Sequence, residues 1–283
     1  MEKEDFTPQH WMQLALHQAH LAQLEGEVPI GAVVVHPTRG VVGVGRNRRE
    51  VGRNALAHAE IEAIHMACRT LGGWRLFDCD LYVTLEPCPM CSGAIINARI
   101  RRVYYGAHDV RFGAAGSLTN LFEMPFNHQP EVIPGILEEP CREMLTGFFR
   151  RMRELRQHNI YIKRVQARHV PACVALMHNL PQAEQSCFQG PLFEGYTMAA
   201  FQGDEAVGVI SMAADGALTM LYCREDVRGL GVGTSLYLPM EYKAICTWKP
   251  HITAPSSPAD SFLLSQGFEQ TSQGLCKTLS FTP

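Results

Sequence analysis

Two short motifs made of potential metal ligands constrain the fold of this chain more than any other feature. His58-Ala-Glu60 begins a segment with helical periodicity, and Cys88-Pro-Met-Cys91 joins the end of a predicted strand to the next predicted helix. Cysteines three apart at the start of a helix place both sulfur atoms on one side of the first turn. The helix dipole there lowers the pKa of both thiols and favours the thiolate form that binds metal ions. We therefore expect these motifs to meet around one metal ion.

The ligand set indicates a catalytic rather than a structural site. A structural zinc ion normally has four protein ligands, whereas a catalytic one has three and leaves the fourth position for water. His58, Cys88 and Cys91 supply three, and no second cysteine pair is present to close the site. Zinc lowers the pKa of bound water to about 7, but a proton shuttle is still needed. We predict one Zn²⁺ per subunit, with Glu60 as the catalytic residue.

The order of the two motifs narrows the chemistry. His-x-Glu followed by Pro-Cys-x-x-Cys is the signature of zinc-dependent deaminases, which remove an amino group from an aromatic heterocycle by hydrolysis. A Cys-x-x-Cys motif by itself is common and unspecific, and it also occurs in structural zinc sites. A structural zinc site is therefore the alternative interpretation.

Length and composition place the chain among ordinary globular proteins. Its 283 residues suggest two domains, and 46% apolar with 19% charged residues allow a buried core. The acidic N-terminus lacks the features of a signal peptide, and no apolar run approaches about 18 residues. We therefore expect a cytoplasmic protein with no membrane association.

Ten cysteines without an export signal predict free thiols or metal ligands rather than disulfides. Eight of them are dispersed, and we interpret each as a small buried hydrophobic residue: Cys68, Cys79, Cys141, Cys173, Cys187, Cys223, Cys246 and Cys276.

Hydrophobic periodicity predicts an α/β protein of two domains. The order α-β-β-α-β-α-β-α in the first half indicates a mixed sheet with helices on its faces. We predict helices at 8–23, 57–71, 89–97 and 140–157, and strands at 28–36, 41–44, 80–85 and 102–107. A strand at 160–164 follows the last helix, so we expect domains 1–157 and 158–283. The second has a predicted helix at 169–179 and strands near 196–201, 206–213 and 217–222.

Seven segments of about the first 155 residues resemble the bacterial tRNA adenosine deaminase family. They are Glu27–Ala32, Asn47–Arg48, Ala57–Ile61, Leu81–Ala94, Gly106–Asp109, Gly113–Leu118 and Phe148–Arg150. The resemblance implies a cytidine-deaminase-like α/β/α sandwich, a homodimer, and conversion of adenosine to inosine at the wobble position of a tRNA anticodon stem-loop. The loop Arg53–Ala57 departs from the family pattern, which puts its RNA contacts in doubt.

The resemblance also implies roles for individual residues. Asn47 would hydrogen-bond the flipped base, and Asp109 would contact the ribose. The base pocket would be lined by Val28 and Pro29, and the anticodon loop would pack against a segment that includes Phe149 and Arg150. Local alternatives exist: Asn47 and Asp109 could serve turns, and at least one of Phe148 and Phe149 is expected in the core.

Three arginine clusters are compatible with RNA binding despite a formal net charge of −3. Each one alone would also suit a solvated face. They are Arg46, Arg48, Arg49 and Arg53; Arg99, Arg101 and Arg102; and Arg150, Arg151, Arg153 and Arg156.

A glycine-rich segment, Arg228-Gly-Leu-Gly-Val-Gly233, follows a predicted strand and opens a helix. Backbone N–H groups in such a loop can hold a pyrophosphate. The segment is similar to the acetyl-CoA loop of GNAT N-acetyltransferases, and Pro258–Phe268 also resembles that family. The resemblance implies a GNAT-like α/β domain that binds acetyl-CoA through Arg228, Gly229, Gly231 and Gly233. Leu263 stands where relatives commonly have a tyrosine general acid, so acetyl transfer stays open.

Two rival functions remain. One is deamination of a free nucleoside, base or nucleotide, which needs no arginine-rich terminal helix. The other is a non-catalytic zinc and RNA-binding subunit. Such subunits typically lose the glutamate that moves protons, and Glu60 is present.

Overall fold

The structure is a computed structural model that describes residues 6–178, 195–247, 249–255, 257 and 259–279. Cys187, Asn179 and Pro258, which belong to the expectations above, lie outside these residues. The chain divides into two compact units, Met1–Phe149 and Arg150–Pro283. Because this division falls within a helix, the boundary expected near residue 158 stays a prediction.

The first unit is built on a five-stranded sheet in the order β2-β1-β3-β4-β5. Strand β1 is antiparallel to both β2 and β3, whereas β3, β4 and β5 are parallel. The strands are β1 (Gly31–His36), β2 (Gly40–Arg46), β3 (Asp80–Leu85), β4 (Arg102–Ala107) and β5 (Glu131–Ile133). Its helices are α1 (Pro8–Leu24), α2 (Ala59–Leu71), α3 (Pro89–Ala98) and the first part of α4 (Glu138–Gln157), which belongs to the second unit from Arg150 onward.

Alternate residues of the strands point into two separate cores. Val34 and Val83 pack with residues of α2 and α3 on one face of the sheet. Val33 and Tyr82 pack with Met12 of α1 on the other. This arrangement, with helices on both faces, is the predicted α/β/α sandwich.

Two glycines of β2 let α2 lie close to the sheet. A Cβ atom on Gly43 would lie 2.2 Å from the carbonyl oxygen of Ala63, and one on Gly45 would lie 2.1 Å from that of Ala59. Because β2 has no side chains there, the helix backbone packs directly against it. This contact fixes the start of α2, the position that carries His58.

The second unit contains an antiparallel sheet in the order β6-β7-β8-β9 and a smaller sheet in the order β10-β12-β11. Its strands are β6 (Ile160–Arg164), β7 (Gly195–Gln202), β8 (Glu205–Ala213), β9 (Leu218–Cys223), β10 (His251–Ala254), β11 (Glu269–Thr271) and β12 (Gly274–Thr278). Its helices are α5 (Val170–His178), α6 (Val232–Cys246) and α7 (Asp260–Ser265). Across the described parts of both units, no helix is long and apolar enough to cross a membrane.

Three details differ from the sequence expectations. The strand expected from residue 28 begins at Gly31, because Pro29 has no N–H group for the sheet. Strand β5 has only three residues and was not predicted. The expectation that every dispersed cysteine is buried is wrong for Cys246, which lies exposed at the end of α6, while Cys68, Cys223 and Cys276 are half-buried.

Candidate metal centre and substrate site

The three expected metal ligands lie at the N-termini of two helices. His58 is the N-cap residue of α2, and Cys88 is the N-cap residue of α3, both with extended backbone. Pro89 occupies the first turn of α3, where a missing N–H group is tolerated. Cys91 follows in that same turn, so its thiol faces the region of Cys88.

The distances between these side chains fit a tetrahedral zinc ion. His58 Nδ1 lies 3.7 Å from Cys88 Sγ and 3.5 Å from Cys91 Sγ. Zinc bonds of about 2.0 Å to nitrogen and 2.3 Å to sulfur require N···S separations of roughly 3.6 Å in a tetrahedron. Within the described residues, this is the one cluster of three or more such side chains placed to bind a metal. The donor set therefore fits the metal that the sequence predicts.

Burial and hydrogen bonds shift the pKa values of the side chains in this cluster. Glu60 is only 4% exposed, and burial raises the pKa of its carboxyl to about 7. A hydrogen bond from the Cys91 thiol, and then one from His58, lowers the pKa of Cys88 to about 4. The same bond to Cys88 raises the pKa of Cys91, which donates it. Cys88 is thus the thiolate of the metal-free pair, and Glu60 titrates near neutral pH.

Asn47 is buried and held by a carboxylate that the sequence analysis missed. Its Nδ2 donates to Glu27 Oε2 at 3.2 Å, and its backbone N–H donates to the carbonyl of Ile30 at 2.9 Å. Glu27 Oε1 also accepts from the amide of Val51 at 2.7 Å. Because a carboxylate only accepts hydrogen bonds, the amino side of Asn47 faces Glu27. An acidic residue next to a predicted strand was the available signal.

Asp109 lies in a tightly bonded loop after β4. Its Oδ1 accepts from the amides of Arg111 and Phe112 at 3.0 and 3.2 Å, and its own amide donates to Glu86 Oε2 at 3.0 Å. Burial alone would raise the pKa of Glu86, but hydrogen bonds from Ser117 and from the loop amides hold it below its usual value. Asp109 therefore stabilises a turn, in which its Oδ1 accepts both of these hydrogen bonds.

The remaining predicted substrate residues lie in different surroundings. Pro29 is buried and Val28 half-buried, next to Glu27. Phe148 belongs to the core, whereas Phe149 is 43% exposed. Arg150 is exposed and begins the second unit.

Several arginines of the expected RNA-binding clusters form ion pairs with carboxylates. Arg101 and Arg102 each form two hydrogen bonds to buried Asp80, at 2.6 to 3.1 Å. Arg46 pairs in the same way with Glu25. Pairing reduces the positive charge that these clusters present. Arg49, by contrast, is exposed, and its charge tends to lower the pKa of His58.

The glycine-rich loop of the second unit has the backbone that its sequence requires. Gly229 and Gly231 have φ of 82° and 80°, a region that favours glycine, and Gly231 caps α6. Arg228 Nε donates to the carbonyl of Cys223 at 2.9 Å. A Cβ atom on Gly233 would lie 3.1 Å from the Phe262 ring. Leu263 is 1% exposed and belongs to the core of this unit.

Comparison with known proteins defines the class of each unit. The MafB19-like deaminase family model matches residues 6–153, and the acetyltransferase (GNAT) domain model matches residues 178–281. The chain belongs to the MafB19-like deaminase family and carries a C-terminal GNAT domain.

Particular relatives lie within that class. The chain is 48% identical over 145 residues to the tRNA-specific adenosine deaminase of Bacillus subtilis, covering 51% of this chain and 89% of the relative. It is 49% identical over 145 residues to that of Agrobacterium fabrum, covering 51% and 95%. A solved structure from a study of A-to-I editing by tRNA:A34 deaminases is 49% identical, with a TM-score of 0.47 over 48% of this chain and 99% of that chain.

Proposed function

We propose that this protein is a zinc-dependent hydrolytic deaminase that converts adenosine to inosine at the wobble position of a tRNA anticodon. The observation that carries the proposal is the His58, Cys88 and Cys91 cluster at zinc-binding distances, with buried Glu60 beside it. These three residues would hold one zinc ion per subunit, which would act as a Lewis acid toward water. The names of the relatives support the choice of tRNA as substrate.

Glu60 is suited to move the protons of this reaction. A carboxyl with a pKa near 7 both accepts and donates protons at neutral pH. Glu60 would take a proton from the attacking water and deliver it to N1 of the adenine ring. The proton of the new C6 hydroxyl would then go to the departing amino group as the C–N bond breaks and the C6 carbonyl forms, so adenosine and water give inosine and ammonia.

The substrate residues would act on a nucleotide that has left its stack. A deaminase cannot reach its target atom inside a stacked helix, and RNA loops are recognised through splayed bases. Asn47 would hydrogen-bond the base in a pocket lined by Val28 and Pro29, and Asp109 would bind the ribose. Phe149 and Arg150 would contact the anticodon loop, as an exposed aromatic ring beside a cation can.

The deciding experiment offers the full chain two stem-loop RNAs and several small substrates. Anticodon stem-loops with A at the wobble position would be compared with the same RNA carrying that A elsewhere in the loop, and with free adenosine, cytidine and guanine. We expect inosine in the first RNA alone. Turnover of only the free compounds would favour the rival small-molecule deaminase. Stem-loop binding with no turnover of any substrate would favour the non-catalytic subunit.

We also propose a homodimer of the first unit. A hollow beside α2 and α3 is lined mainly by apolar residues, among them Ile61, Ile64, Trp74 and Ala94, with His65 and Arg69 also in its lining. The Trp74 side chain is about half exposed. A second copy would cover the hollow. Light scattering should give twice the chain mass, and Trp74→Glu should give the monomer mass, whereas a monomeric wild type would contradict the proposal.

We propose in addition that the loop Arg228–Gly233 binds acetyl-CoA. The glycine backbone supports this, because positive φ at Gly229 and Gly231 turns the chain into the N-terminus of α6. Free N–H groups at a helix N-terminus bind phosphates. Leu263 is buried and supplies no general acid, so the proposal is for binding alone and leaves acetyl transfer by another acid open.

A further inference from the structure

Glu86 is a buried carboxylate for which the proposed reaction has no chemical use. It lies between the end of β3 and Cys88 and is only 2% exposed. We infer that Glu86 is a positioning residue, which folds residues 108–117, here called the Asp109 loop, and so presents Asp109 to the substrate. The inference rests on the proposed function, because Asp109 is there a ribose contact.

The two oxygens of Glu86 close the Asp109 loop from both ends. Oε2 accepts from the amide of Asp109 at 3.0 Å, near the start of the loop. Oε1 accepts from the amides of Ala115 and Ser117, both at 3.0 Å, near its end. Hydrogen bonds to a charged acceptor are stronger than neutral ones. One side chain therefore fixes the ends of the segment that holds Asp109.

The side chain of His108 adds to this network. Its Nδ1 lies 3.7 Å from Glu86 Oε2, and 3.2 Å from both the Tyr105 hydroxyl and Ser117 Oγ. The first residue of the Asp109 loop is thereby tied to its last.

Gly113 shows how closely the loop lies on the carboxylate. A Cβ atom there would lie 2.4 Å from Glu86 Cδ and Oε2, and 2.5 Å from the carbonyl oxygen of Asp109. The Gly113 amide donates to that carbonyl at 2.7 Å. The carboxylate therefore fills the space beneath the loop, and any larger residue at 113 would push the two apart.

The fold of the loop determines the orientation of the Asp109 side chain. The amides of Arg111 and Phe112 donate to Oδ1, which turns the carboxylate in one direction and leaves Oδ2 for the substrate. If the Asp109 amide loses Glu86, the turn that depends on it loses its anchor. Glu86 thus acts on the substrate through Asp109 and not by contact.

The test is a double-mutant cycle of Glu86→Gln and Asp109→Ala in the full zinc-loaded protein. Glutamine keeps the size of the side chain but has one acceptor oxygen, so one end of the loop is released. We expect Glu86→Gln alone to raise KM for the anticodon stem-loop about tenfold, with kcat within about threefold of wild type and zinc still at one per chain. In the Asp109→Ala protein, the same change should raise KM less than about twofold, because the group through which it acts is gone.

Three comparisons keep the result interpretable. Gly113→Ala displaces the carboxylate from the other side and should also raise KM, so the inference does not depend on Glu86→Gln folding well. Glu241→Gln removes a buried carboxylate of the second unit, which pairs with Lys277 at 2.8 Å, and should leave KM unchanged. Hydrogen exchange should show faster exchange of the amides of residues 109, 115 and 117 in Glu86→Gln, with or without RNA.

The outcomes separate the inference from the proposed function. Additive effects of Glu86→Gln and Asp109→Ala, or unchanged KM and unchanged exchange, would overturn the inference while wild-type turnover stands. If the wild type forms no inosine in the stem-loop, the proposed function fails. Exchange of the three amides then still decides whether Glu86 holds the loop.

Discussion

Both units have a candidate site at helix N-termini, but the first is formed by side chains and the second by backbone N–H groups. In the first unit, side chains at the starts of α2 and α3 form a cluster in which Cys88 and Glu60 have strongly shifted pKa values. In the second, the loop before α6 offers backbone N–H groups, and the position of the expected acid is held by buried Leu263. Backbone geometry is enough to bind an anion, whereas proton transfer needs a titratable side chain. The comparison therefore supports a proposed catalytic role for the site in the first unit and a proposed binding role for the loop in the second.

The largest expected effect tests the catalytic side of this comparison. Glu60→Gln should reduce deamination of the stem-loop about 10³-fold, because the substituted amide cannot accept or return the protons. Metal analysis should still find one zinc ion per chain, since Glu60 is not among the three clustered ligands. Loss of zinc from the variant, or near wild-type turnover, would contradict this division of roles.

A tenfold effect is expected on the binding side. Gly231→Ala should weaken acetyl-CoA binding to the full chain about tenfold in calorimetry. A φ of 80° strains alanine by roughly 1–2 kcal/mol, so the free loop would relax away from the conformation that binds the cofactor. The added Cβ atom would also lie 3.0 Å from Arg151 Cγ. Gly203→Ala is the matched control, since Gly203 has φ of 62° in a turn with open space around it. Equal effects of the two changes, or no binding by the wild type, would remove the cofactor from the comparison.

The raised pKa of Glu60 predicts a smaller effect, which is a pH-dependent change in the stability of the metal-free protein. Burial raises the pKa of Glu60 from 4.5 to about 7, so the folded metal-free protein holds this proton more tightly than the unfolded chain. The stability that Glu60 contributes is full below about pH 4.5, where the carboxyl is protonated in both states, and is lost as pH rises through 7. Metal-free Glu60→Gln should therefore gain in melting temperature relative to metal-free wild type between pH 5 and 8. A difference that does not change with pH would argue against a raised pKa.

What the sequence reveals differs between these features for a physical reason. The cluster of candidate zinc ligands could be predicted because Cys88 and Cys91 share one helical turn, and because the order of the motifs is distinctive. Glu86 could not, since its partners Ala115 and Ser117 are distant in sequence and donate through their backbone, which leaves no pattern of residue types. Strand β5 is too short for a visible alternation. The candidate metal ligands thus form a local pattern, whereas the loop that contains Asp109 depends on tertiary hydrogen bonds.

The tertiary partners of the arginines are likewise not visible in the sequence, and the smallest predicted effect concerns one of them. Arg102 appears in the sequence as part of a basic cluster, but it shares Asp80 with Arg101 in bidentate pairs. Arg102→Ala should lower the free energy of unfolding by about 1–2 kcal/mol, because Asp80 keeps only one partner. It should leave the salt dependence of stem-loop binding unchanged. Arg49→Ala is the matched change at an exposed arginine near His58, and it should reduce the slope of log affinity against log salt by about 1 without destabilising the fold. If Arg102→Ala reduced that slope as much, the pairing with Asp80 would not prevent RNA contact, and charge alone would have been the better guide to the RNA surface.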